Sequence, residues 1–276
     1  MKDELGDRMK GFYEDRTRFL LPRRTYTIIR VDGKAFHTYT RGLIQPFDQG
    51  LIDDMDATAS YLCKNIQGTK FAFVQSDEIS ILMTDFDAIG TDAWFDGNIQ
   101  KIVSVAAGLA TAEFNRLRLL RIIKNSTSID SDGFISIKPY EKDILNMKLA
   151  TFDARVFTIP SKTEVGNMIV WRQKDATRNS ISSVARNLYS QKEVDGKNSD
   201  QKQEMIFQRG INWNDYPAKQ KRGRLIIKET VEMKTDVFKS YVKEPTNYFR
   251  TVWKSVECPI FTQDMEFLYN LIPDMP

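Results

Sequence analysis

The sequence predicts an α+β fold, and three observations carry that reading. Strand-like runs recur through the first 160 residues, two of them separated by only Ser76-Asp77-Glu78, a connection that permits nothing but an antiparallel hairpin. Two long segments with helical spacing of apolar residues, 47–67 and 98–118, fall between those runs. The order of strands and helices therefore gives an antiparallel sheet with helices on one face, followed from about residue 161 by a more helical and more polar part.

Each element has its own reason. "TYTIIRV" (25–31) is β-branched and aromatic and stops at Asp32-Gly33. In "FDQGLIDDMDATASYLCKNIQ" (47–67), Leu51, Met55, Tyr61 and Leu62 share one helix face. "KFAFVQ" and "ISILM" are near-continuous apolar runs, as expected of buried strands. "TDFDAIGTDAWFDG" (84–97) reads as loop, and "NIQKIVSVAAGLATAEFNRLR" (98–118) as a helix with Ile102, Val105, Ala106, Leu109 and Ala112 in its stripe. "ATFDARVFTIP" (150–160) is a strand ended by Pro160. Beyond it, 194–203 and the basic stretch "NWNDYPAKQKRG" read as loops, and nothing decisive marks the chain after residue 228. The expected division is a catalytic core over 1–160 and a largely helical region over 161–276 packed on it.

Composition narrows the function classes. No run of about 18 apolar residues is present, so no membrane span is expected. The start, "MKDELGDRMKGFYEDRTRF", lacks the apolar stretch of a signal peptide, and two distant cysteines, Cys63 and Cys258, build no disulfide framework or zinc site. A cytoplasmic location is the expectation. His37 is the single histidine, which removes any mechanism needing two. Net charge is only +3, yet "RTRFLLPRR", "RLRLLRIIK" and "AKQKRGRLIIK" are basic clusters. They read either as solvated faces or as contacts to a polyanion.

The acids pose the chemical question. Asp32 closes one strand and Asp77-Glu78 sit at a hairpin tip between apolar runs. Converging carboxylates repel unless a cation meets them. Mg²⁺ accepts few protein carboxylates and leaves positions open for water and substrate phosphates. Two such ions about 4 Å apart clamp the attacking and leaving oxygens of a phosphoryl displacement. Gly33, without a Cβ, admits close approach to the backbone, and the amides of "GKAFH" can nest phosphates. A strand followed by Asp-Gly is also an ordinary turn, and acids at a hairpin tip are also ordinarily solvated.

"RVDGKAFH", "QSDEIS", "FDARVF", "WRQKD" and "INWND" occur in an order and spacing that resemble the tRNA-His guanylyltransferase superfamily, enzymes that extend RNA at its 5′ end in the 3′–5′ direction. The resemblance runs from about Leu5 to about Arg224. It implies a palm like that of polymerases and nucleotide cyclases, two Mg²⁺ ions, ATP and GTP or other NTPs as substrates, the acceptor stem and 5′ end of tRNA as partner, and a homo-oligomer, most simply a tetramer. It assigns Asp32, Asp77 and the Gly33 carbonyl to the metals, with Glu78 as an adjacent catalytic-site acid. It assigns Lys34, Ala35, Phe36, His37 and Ser76 to the nucleotide and Lys101 to phosphates.

Two departures matter. Gln45 stands where the family usually has a triphosphate-contacting lysine, and Ala176–Ser180 keeps only Asn179 of a Cys-His-Ile-Asn-Asn stretch. The second departure is similar to the guanylyltransferase-like branch that repairs 5′-truncated tRNA. The alternatives are a strict tRNA-His guanylyltransferase adding one G at position −1, a nucleotide cyclase, and an RNA-binding protein with an inactive palm.

Overall fold

The computed structural model describes residues 3–129, 135–137, 140–234 and 247–276. Among these residues, strands β1 (Tyr26–Gly33), β2 (Thr69–Gln75), β3 (Glu78–Met83), β4 (Thr127–Ile129), β5 (Ile135–Ile137), β6 (Phe152–Ile159), β7 (Arg224–Lys234) and β8 (Asn247–Glu257) are joined by ten α-helices and a few shorter turns of helix. The helices are α1 (Glu4–Met9), α2 (Phe36–Tyr39), α3 (Gln49–Asn65), α4 (Ile99–Ser126), α5 (Glu141–Leu145), α6 (Lys162–Leu188), α7 (Gln191–Val194), α8 (Ser199–Gln208), α9 (Ala218–Lys221) and α10 (Met265–Leu271). Six strands form one sheet in the order β6-β1-β3-β2-β7-β8, and every pairing is antiparallel. The α+β class and the antiparallel sheet are as expected.

Side-chain alternation sorts the sheet into two faces. Ile29, Val31, Ile79, Ile81, Ala72 and Val74 pack on Met55 and Leu62 of α3 and on Ile102, Ala106 and Phe114 of α4. Tyr26, Ile28, Phe71, Phe73 and Leu82 pack on Val165 and Ile169 of α6 and Leu268 of α10. Helices from the first half thus cover one face, and helices from the second half cover the other. This explains why β2 and β3 are apolar along their length: both of their faces are covered, and all of β3 is buried.

The long helices start where side-chain caps permit. Asp48 accepts from the Leu51 amide (2.7 Å), Asn98 from Lys101 (3.1 Å) and Ser161 from Glu164 (3.2 Å), each satisfying a donor that the first helical turn leaves free. Helix α6 begins at Lys162, so "WRQKD" lies well inside it. The second half also holds more strand than its polarity suggested. "RLIIKETVEMK" and "NYFRTVWKSVE" pair along their whole length as β7 and β8, and alternation of β-branched and polar residues suits that hairpin.

Part of each basic cluster is neutralised internally. Arg23 pairs with Asp85, Asp92 and Asp96, Arg118 and Arg121 share the buried Asp54, and Arg224 meets Asp56. For these side chains the structural reading wins over a free polyanion-binding face.

Candidate active site

Strand register brings the acids together. Asp32 lies opposite Glu78 on β3 and opposite Asp153 on β6, so all three side chains start from the same face of the sheet. Ser76 and Asp77 form the two-residue turn between β2 and β3, with Gln75 paired to Glu78. Ser76 adopts φ +45°, a left-handed conformation in which a side chain costs about 1–2 kcal/mol. The turn is latched to β1: the Gly33 amide donates to the Asp77 carbonyl at 3.2 Å, and Ser76 Oγ donates to Asp77 Oδ1 at 2.8 Å. One backbone bond therefore fixes the "DG" and "SDE" segments side by side.

After Gly33 the chain turns sharply. The Lys34 amide donates to Thr151 O (2.8 Å), and Ala35 sits at φ +53° before the short helix α2. Phe36 folds back into a cluster with Tyr39, Phe114 and Phe152, its ring 4.8–5.7 Å from theirs. A Cβ on Gly33 would fall 2.2 Å from that ring, so glycine is required by close packing there.

These elements wall a cavity of about 970 Å³. Asp32, Gly33, Ala35, Phe36, His37, Ser76, Asp77 and Glu78 line it, as does Gln45. Two expected residues do not join them. Lys34 is exposed and outside the lining. Lys101 belongs to the first turn of α4, its Nζ 4.9 Å from the centre of the Phe95 ring. It lies ten residues, about 15 Å of helix axis, before Thr111, whose Oγ1 accepts from the Phe152 amide beside Gly33. Within one chain, Lys101 stands at the opposite end of the sheet from Asp32. The resemblance that assigned Lys101 to phosphates matched a position in the chain, not a place at the Asp32 end of the sheet.

The cation that meets Glu78 is an arginine. Arg172 Nε and Nη2 bind the two carboxylate oxygens at 2.7 and 2.5 Å, and Nη2 also reaches Asp175 at 2.8 Å. Both Arg172 and Glu78 are buried. Glu78 is therefore not a free ligand, and it acts as an anchored neighbour of the two aspartates. Sequence reasoning missed this pair because the partners lie 94 positions apart.

Among the described residues, Asp32 and Asp77 have no such two-pronged partner. Arg155 Nη2 stands 4.0 Å from Asp32, at the limit of an ion pair. Burial, and then Asp153, push the Asp32 carboxyl above its usual range. Burial first, with Asp32 and Glu78 adding repulsion, pushes Asp77 up to about 6 against the hydrogen bonds from Ser76 and its own backbone. Two further buried atoms of cavity-lining side chains, Gln75 Oε1 and Arg30 Nε, have no hydrogen-bond partner. Buried polar atoms without partners and two under-compensated carboxylates on one cavity are the chemistry of a site built for a ligand.

These residues fit Mg²⁺. Among the described residues no three His, Cys, Asp or Glu side chains converge on one point, so no closed metal cage exists. Two carboxylates with the Gly33 carbonyl and an open cavity match an ion that keeps most of its shell for water and phosphate. A dication there also removes the repulsion that raises Asp77.

The sequence profile described as tRNAHis guanylyltransferase matches residues 6–160. The chain belongs to the tRNA-His guanylyltransferase family. Membership makes it a nucleotidyltransferase. The structure is similar to that of a bacterial tRNA(His) guanylyltransferase-like protein in complex with ATP, with TM-score 0.77 and 38% identity over 98% of this chain and 99% of that one. The same kind of protein in complex with GTP gives TM-score 0.74. A probable tRNA(His) guanylyltransferase of Drosophila melanogaster is 26% identical over 239 residues, 81% of this chain and 73% of its own length. The Saccharomyces cerevisiae enzyme structure, at 22% identity and TM-score 0.61, shares the fold.

Proposed function

We propose that the chain adds nucleotides in the 3′–5′ direction to the 5′ end of tRNA, repairing 5′-truncated molecules with the opposite strand as template. The observation that carries this is the pair Asp32–Asp77, latched together at a cavity large enough for a nucleotide and an RNA end, with one long contact from Arg155 to Asp32 and no ion pair at Asp77 among the described residues. ATP first transfers AMP to the 5′-monophosphate with loss of pyrophosphate. The 3′-hydroxyl of an incoming NTP then attacks the activated phosphate, and AMP leaves. Asp32, Asp77 and the Gly33 carbonyl would hold two Mg²⁺ ions. When bound, Mg²⁺ supplies charge neutralisation for the phosphoryl oxygens.

The chain's own residues do the positioning. Ser76 Oγ holds the Asp77 carboxylate in place, Arg172 keeps Glu78 from adding free charge beside it, and the turn at Gly33–His37 offers backbone to phosphates. The repair reading, rather than addition of a single G to tRNA-His, draws support from the 38% identity to the bacterial guanylyltransferase-like protein and from Asn179 as the one retained residue of its stretch. We further propose a tetramer and a cytoplasmic location, in keeping with two buried free thiols.

The test is incubation with tRNA lacking its first 5′ nucleotide, Mg²⁺, ATP and each NTP in turn. Incorporation of the Watson–Crick partner of the opposite base supports repair. Addition of G regardless of that base, and only to tRNA-His, would replace it with the strict guanylyltransferase reading.

A further inference from the structure

Trp171 is the residue the sequence pointed away from. A large apolar side chain ordinarily anchors a core, yet that of Trp171 is 50% exposed on α6. The buried stripe of α6 runs through Val165, Met168, Ile169, Arg172, Gln173 and Ala176, and Trp171 lies on its flank, facing the same cavity as Asp32 and Asp77. Leaving an indole half in water is unfavourable unless something covers it.

The ring is held in place. The Arg172 guanidinium lies 4.4 Å from its centre and that of Arg30 5.8 Å. Arg172 is itself fixed by its two bonds to Glu78, so the indole orientation is tied to the floor of the site. Arg30 precedes Asp32 by two positions on β1, a step of about 7 Å, and starts from the same face of the sheet. The indole and the carboxylates assigned to phosphate chemistry thus line one cavity. The other aromatic rings on the lining are Phe36, buried in the core, and His37.

We propose that Trp171 is a stacking platform for a nucleobase, positioning it while its phosphates lie at Asp32 and Asp77. The base belongs either to a free nucleoside triphosphate or to the 5′-terminal nucleotide of the RNA; the stacking chemistry is the same. This rests on the reading of the cavity as a nucleotide site. An aromatic face accepts any base, which suits an enzyme whose nucleotide choice comes from pairing with a template.

The experiment compares wild type with Trp171→Leu and Trp171→Phe, measuring Kd for ATP, GTP, inorganic tripolyphosphate and 5′-monophosphorylated tRNA with a normal or abasic first nucleotide, all in Mg²⁺. Trp171→Leu should weaken one base-bearing ligand by about 5- to 100-fold, leave tripolyphosphate unchanged, and keep the melting temperature. Trp171→Phe should restore most of the loss. A loss confined to ATP and GTP assigns the platform to the free nucleotide. A loss confined to normal tRNA, absent with the abasic form, assigns it to the RNA end. Equal weakening of tripolyphosphate and nucleotides, or no weakening of any ligand, overturns the proposal. If wild type itself binds neither nucleotides nor tRNA, the reading of the cavity falls first and the platform with it.

Discussion

Replacing Asp77 by Asn should stabilise the metal-free protein at pH 8. The carboxyl ordinarily titrates near 3.8, and in the folded chain it is pushed up to about 6, chiefly by burial. A folded-state value above the unfolded one means that the neutral form favours folding. The penalty is absent below about pH 4, grows between 4 and 6, and is complete above 6. Two units correspond to about 3 kcal/mol, which residual solvent contact of the side chain reduces to about 1–2 kcal/mol. For a chain of this size that is a rise in Tm of roughly 2–8 °C. The assay is thermal unfolding in EDTA from pH 5 to 8, repeated with Mg²⁺ and ATP. In EDTA the gap between variant and wild type should widen from pH 5 to a little above 6 and then stay level. With Mg²⁺ and ATP it should close or reverse, because only the wild type gains by binding. A gap that stays constant across pH, or a variant less stable than wild type at pH 8 in EDTA, would refute the assignment of Asp77 as a buried, uncompensated charge.

Other substitutions test the rest of the site. Asp32→Ala or Asp77→Ala should each lower both adenylylation and nucleotide addition by at least about 10³-fold, read as AMP release and product length; adenylylation that survives either change would separate the two steps. Arg172→Met leaves Glu78 buried without its partner and should cost about 3–5 kcal/mol in chemical denaturation, whereas Arg172→Met combined with Glu78→Met should recover much of it. Gly33→Ala forces the Phe36 ring aside and should cost about 1–3 kcal/mol while depressing activity more than Tm alone explains; full activity would show that the turn tolerates the shift.

The parts of the fold legible in the sequence were those with local signals. β1, the β2–β3 hairpin, α3 and α4 all announce themselves through periodicity or an unavoidable turn, and the structure has them within a few residues except at the end of α4, which runs on to Ser126 rather than stopping at 118. The site was legible to the same extent. Asp32 and Asp77 terminate elements, so their chain positions implied a shared sheet end. What stayed hidden depends on distant partners. Nothing near Glu78 in sequence announces Arg172, and nothing near Trp171 says that the adjoining stripe, rather than the indole, faces the core. Strands β7 and β8 escaped because their exposed faces carry charges and aromatics in place of a clean apolar run.

The sheet is assembled out of chain order. Phe73 of β2 pairs with β3 almost at once, but its other neighbour is Leu225 of β7. During synthesis at 5–20 residues per second the chain grows by ~150 residues before that neighbour exists, a wait of roughly 8–30 s. Throughout it, β2 presents an open, apolar strand edge of the kind that recruits other chains. The newborn molecule is thus vulnerable at the strand leading into its catalytic hairpin, and the β7–β8 ribbon is the segment whose late arrival ends that exposure. Slow translation between residues 75 and 224 would then lower the yield of soluble protein while leaving each folded molecule fully competent.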